Sequence, residues 1–187
     1  MLDEYFRWKY TAPDRYATTT AVLKRFVDEN GLGHLDQLRS RLLTLDTTDV
    51  RSALKVACEI PGLGTAGSSD LLALMYPRDF GTVDQFVVNA LRQVDGLPEA
   101  QAITRMNPGG LTIRDGVILI DILHRKAADN NRVFKSSEWT PRRWIRCFGL
   151  VVDSPGLARR PIGCGALRCA ASVTARYAHL LRRLALS

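Results

Sequence analysis

The sequence predicts an all-α protein, a helical bundle, from three observations. Apolar residues recur at helical spacing in one segment after another, the segments are short and joined by short turns, and no stretch shows sustained strand alternation. With 187 residues, 46% hydrophobic and 24% charged, the chain has ordinary globular composition and is long enough for one domain with a core.

The elements follow in order. Tyr5-Phe6-Arg7-Trp8-Lys9-Tyr10 is dense in aromatics and is cut off by Pro13; it is predicted to dock its rings on the domain, with a base-stacking platform as the alternative. Thr18 to Thr20 offer a cap for a helix carrying Ala21, Val22, Leu23, Phe26 and Val27, which ends near Gly31-Leu32-Gly33. Leu35, Leu38, Leu42 and Leu43 mark a second helix. Asp46-Thr47-Thr48-Asp49 caps a third, with Val50, Leu54 and Ala57 on one face, and Pro61 stops it.

A fourth helix carries Leu71, Leu72, Leu74 and Met75 and ends at Tyr76-Pro77. Asp79-Phe80-Gly81 is a turn, and Val83, Phe86, Val87 and Leu91 begin another helix near Asp84, closed by Asp95-Gly96-Leu97-Pro98. Asn107-Pro108-Gly109-Gly110 is a break. A long helix from Val117 to Ala128 then buries Ile118, Leu119, Ile122 and Leu123. His124, beside Arg125 and Lys126, reads as a solvated or helix-terminal histidine rather than a catalytic one.

Charge and cysteines narrow the function classes. The net charge of +7 is concentrated at the end: Ser154 to Ser187 holds six arginines and no acidic residue or lysine, which leaves residues 1–153 at +1. Cys58, Cys147, Cys164 and Cys169 form no CxxC pair, and His179 is poorly placed to complete a zinc set, so free thiols and no metal site are predicted. No apolar run is long enough to span a bilayer, and the acidic start Met1-Leu2-Asp3-Glu4 argues against a signal peptide. A cytoplasmic protein without a membrane partner is expected; no protein partner is indicated.

The centre of the chain is Ile60-Pro61-Gly62-Leu63-Gly64-Thr65-Ala66, with Asp84 twenty residues after Gly64. It reads as a helix, a tight glycine hairpin and a second helix. Glycines let the backbone approach a ligand, and the N–H groups opening the second helix suit a phosphodiester without any lysine. A buried structural turn predicts the same glycines. Asp84 likewise suits either an N-cap or a working carboxylate.

The run Ile60 to Ser68, with Tyr76-Pro77 and then Val83-Asp84, resembles the helix-hairpin-helix and following aspartate of the base-excision DNA glycosylase superfamily, in particular small bacterial proteins with an 8-oxoguanine DNA glycosylase fold. The resemblance covers about residues 50 to 95 firmly and the flanking helices loosely. It implies nonspecific binding of duplex DNA through Pro61, Gly62, Leu63, Gly64, Thr65 and Ala66, with a monovalent cation at the hairpin carbonyls and no other cofactor. It also implies flipping of a damaged nucleotide and cleavage of the glycosidic bond with help from Asp84, whose charge would stabilise an oxocarbenium-like sugar. Bifunctional members place a lysine late in the hairpin, where this chain has Ala66, so strand cutting is not expected. A noncatalytic DNA-binding module and a purely structural helical protein are the competing expectations.

Residues 1–142 are expected to form the helical domain, and 143–187 an atypical tail. One reading of the tail is a basic arm that grips phosphates. The other is translation out of frame after Arg142. Trp144 is encoded by TGG and Ile145 begins with AT, so a frame starting on the third codon base contains GAT, an aspartate. The shifted pattern after Trp139-Thr140-Pro141-Arg142 resembles the closing helix of the same small bacterial proteins.

Overall fold

The computed structural model describes residues 2–145 except Thr11 and Asp95, and for Asp3 the backbone alone. The regular structure is all helical, with no strand among the described residues. In order come α1 (Leu2–Lys9), α2 (Pro13–Asn30), α3 (Leu32–Leu43), α4 (Val50–Cys58), α5 (Thr65–Met75), α6 (Gln85–Leu91), α7 (Ala100–Arg105) and α8 (Ile113–Val133), and residues 141–145 are again helical. The described residues all belong to one compact unit. The expectations for the tail, whether arm or out-of-frame segment, fall outside the described residues from 146 onward.

Local chemistry sets several boundaries differently from the sequence expectation. The second helix starts at Pro13 and not at Thr18 to Thr20, because proline at the first helical position has its φ preset and no N–H to lose. Thr18 instead turns its hydroxyl back to the Asp14 carbonyl at 2.8 Å, inside the helix. The third predicted helix closes at Cys58, before Pro61, and the chain enters the hairpin through turns. Asp49 caps it as anticipated, accepting from the Ser52 N–H at 3.0 Å. The long helix begins at Ile113 rather than Val117, where Thr112 and Asp115 form a reciprocal capping box, and it runs on to Val133.

That extension moves His124 to the middle of α8, correcting its helix-terminal assignment. Its Nε2 lies 2.6 Å from the Asp79 carbonyl and ties α8 to the turn after α5. The short α7, between two proline-containing turns, had no sequence signal strong enough to name it.

The core is shared chiefly by α4, α5 and α8. Each packs on the other two, and Leu54, Leu72, Leu119, Ile120, Ile122 and Leu123 are fully buried. Gly116 lets α8 come close: a Cβ there would lie 2.7 Å from Thr65 Cγ2 and 2.9 Å from Leu54 Cδ1. The segment after α8 closes over the same core. Asn131 holds Trp139 through two bonds of 2.9 Å, Pro141 is buried against Gly81, and Arg142 Nη1 donates to the Ala73 carbonyl at 3.3 Å.

Candidate functional site

The hairpin between α4 and α5 is anchored from below and open above. Ile60 and Leu63 are buried, and the Leu63 N–H bonds the Ile60 carbonyl at 3.1 Å, so the turn closes on two apolar plugs. Gly62 has φ +88°, a conformation that strongly favours glycine, and it faces Thr19 of α2 so closely that a Cβ would sit 2.7 Å from Thr19 Cγ2. Gly62 and Gly64 are exposed, while Pro61 and Ala66 are half-buried. The side chains of Leu63 and Thr65 belong to the interior, so these two residues can offer DNA only their backbone.

No side chain caps the start of α5, as is also true of α2, α3 and α7, whereas Asp49, Asp84 and Thr112 cap α4, α6 and α8. The first-turn N–H groups of α5 are therefore not taken up by a cap, the arrangement that receives an anion. The hairpin carbonyls carry a bond already, since the Tyr10 hydroxyl donates to the Gly62 carbonyl at 3.5 Å.

Asp84 is the N-cap of α6. Its Oδ1 accepts from the N–H groups of Phe86 at 2.9 Å and Val87 at 3.0 Å, which leaves Oδ2 outside the cap. The residue before it is pinned to the hairpin helix: the Val83 N–H donates to Ser69 Oγ at 3.0 Å, and the Ser69 hydroxyl donates to the Ala66 carbonyl at 2.9 Å. One serine thus connects the hairpin's last residue with the strand of chain that carries the aspartate.

The aromatic N-terminal segment docks on this same helix. Tyr5 and Phe6 are buried, and the Tyr5 hydroxyl donates to the Gly67 carbonyl at 2.6 Å. Burial raises the Tyr5 phenol well above its ordinary value, helped by the neighbouring Tyr10. Trp8 does not follow them inward. It is 60% exposed, as is Phe86 beside Asp84.

Sequence reasoning missed Lys9 and Asp70. Lys9, at the end of α1, forms an ion pair with Asp70 of α5, and the side chains are 19% and 5% exposed. Burial holds the Lys9 ammonium below its ordinary pKa, with the Asp84 carboxylate acting in the opposite direction. No local sequence signal points to this pair, because its members lie on the first and fifth helices. The site therefore combines an exposed glycine turn, an uncapped helix start, two carboxylates and one amine.

Among the described residues no group of three His, Cys, Asp or Glu side chains is placed to hold a metal ion, and no helix is long and apolar enough to cross a membrane. No protein-family model matches the chain, and no curated protein or solved structure matches it.

Proposed function

We propose that this protein binds duplex DNA through the backbone of Pro61 to Ala66 and acts as a monofunctional-type DNA N-glycosylase, with Asp84 as the essential carboxylate. The observation that carries the reading is the Ser69 link, which sets Asp84 beside the helix opened by the exposed Gly62 and Gly64. The sequence resemblance of Ile60 to Ser68 and Val83-Asp84 to the glycosylase superfamily supports it. A phosphodiester would take the N–H groups at the start of α5, the nucleotide would swing out of the stack, and Asp84 Oδ2 would face the positive charge that grows on the sugar as the base departs. Water then adds at the anomeric carbon. The reading goes with a cytoplasmic protein.

A second reading, a noncatalytic DNA-binding module, is favoured by one observation: Asp84 already serves as a cap. Base release from a panel of lesion-bearing duplexes, starting with 8-oxoguanine, separates the two. Release that Asp84→Asn abolishes supports the enzyme. Salt-sensitive binding without release supports the module, and absence of such binding overturns both.

A further inference from the structure

The corner between α1 and α2 stands against the hairpin. Gly62 faces Thr19 so closely that a Cβ on the glycine would lie 2.7 Å from Thr19 Cγ2 and 3.1 Å from the Thr19 carbonyl oxygen. Arg15 is four residues before Thr19 and so lies on the same face of α2, about 6 Å away along the axis. Helical side chains lean toward the N-terminus of their helix, which carries the Arg15 guanidinium toward the corner where Tyr10 stands. The Tyr10 hydroxyl donates to the Gly62 carbonyl at 3.5 Å and lies 3.2 Å from where a Cβ would sit on Gly67, in the first turn of α5. Burial raises the Tyr10 phenol above its ordinary value, and the charge of Arg15 opposes that rise, so the guanidinium is felt at the hydroxyl that touches the hairpin. Arg15 is exposed, and among the described residues no carboxylate pairs with it.

We propose that Arg15 is a phosphate contact of this site, whose guanidinium takes the phosphate next to the one received by the backbone of Pro61 to Ala66. This rests on the DNA reading above. Phosphates follow one another every ~3.4 Å of axis along one strand of a duplex, so a strand lying on the hairpin brings a second phosphate within reach of a cation one helical turn from the Gly62 contact. A guanidinium suits that phosphate, because its fork of donors takes two oxygens at once. Tyr10 is a positioning residue: its bond to the Gly62 carbonyl ties the corner that carries Arg15 to the hairpin. The contact adds affinity and fixes the lie of the strand without reading its sequence.

Binding of the full chain to an undamaged duplex, followed by fluorescence anisotropy over a series of KCl concentrations, tests the proposal. Arg15→Gln should weaken binding to every duplex sequence and make the slope of log affinity against log salt shallower by about 0.9, the value of one phosphate contact. Arg15→Lys should keep most of that slope. Arg25→Gln, which removes an equal and exposed charge farther along α2, should leave the slope as it is. On the unsubstituted chain, bound duplex should shield Arg15 but not Arg25 from phenylglyoxal, read by mass spectrometry of the peptides. An unchanged slope in Arg15→Gln, an equal loss in Arg25→Gln, or labelling of Arg15 that duplex does not reduce overturns this inference alone. Absence of salt-sensitive binding by the unsubstituted chain overturns the DNA reading together with it.

Discussion

Lys9 of α1 and Asp70 of α5 form an ion pair whose side chains are 19% and 5% exposed. Removing one member strands the other charge in a poorly hydrated place, a loss of about 3 kcal/mol for a buried pair. Asp70→Ala should therefore lower the urea midpoint sharply. Replacing both members with apolar groups, Lys9→Met with Asp70→Leu, should recover most of that loss, because no unpaired charge remains. Equal destabilisation in the double variant would show that packing, and not the stranded charge, sets the cost.

Tyr5 should make the fold sensitive to alkali. Burial holds its phenol far above the ordinary 10.0, with Tyr10 adding to the rise and a backbone bond from Leu71 opposing it. The unfolded phenol loses its proton near 10.0 while the folded one keeps it, so the contribution is complete below that pH and is lost as pH climbs toward the folded value. Tyr5→Phe should cost about 1 kcal/mol at neutral pH, from the lost bond to Gly67, yet show a shallower stability loss above pH 10.0. Lys9 has the opposite sign, since its folded amine deprotonates first and stability gains as pH rises toward 10.5, but it is common to both proteins. Parallel alkaline slopes in the two proteins would contradict the argument.

These two residues also mark what was legible in the sequence. The hairpin and the cap at Asp84 are local: glycine spacing, a proline and one aspartate before an apolar run specify them without help from distant residues. The helical class follows from periodicity. The Lys9–Asp70 pair joins the first helix to the fifth, and no short-range pattern announces a charge that finds its partner across the fold. Helix starts failed where two signals competed. The threonines at 18 to 20 resemble a cap, but Pro13 can open a helix five residues earlier, and the capping box at Thr112 precedes the apolar stripe that drew attention to Val117. The burial of Tyr5 and Phe6 agrees with the expectation that the N-terminal rings pack, while Trp8 departs from it.

Phe86 is expected to matter for DNA and not for folding. It is 60% exposed in the first turn of α6, two residues after Asp84, so its ring is available to a base. Stacking on an aromatic side chain contributes about 1–3 kcal/mol per base. Phe86→Ala should weaken duplex binding by roughly tenfold, the lower part of that range. Its thermal midpoint should stay close to that of the parent, as for most exposed positions. A large loss of stability with unchanged affinity would remove Phe86 from the interface.

In the proposed glycosylase Ser69 would act as a positioning residue, and its effect should separate binding from chemistry. It is fully buried, donates to the Ala66 carbonyl at 2.9 Å, and accepts from the Val83 N–H at 3.0 Å. In Ser69→Ala the Val83 N–H, itself in a residue closed to solvent, loses its acceptor, at a cost of about 1–3 kcal/mol. The change also frees the chain just ahead of Asp84 while leaving the exposed Gly62 and Gly64 untouched. On the DNA reading proposed above the hairpin backbone would make the contact, so duplex affinity should change little. Single-turnover base release at saturating protein should fall, because the carboxylate would no longer be held in one place for the proposed reaction. If the variant loses affinity in the same proportion as release, Ser69 supports the hairpin itself, and the link to Asp84 carries no separate role.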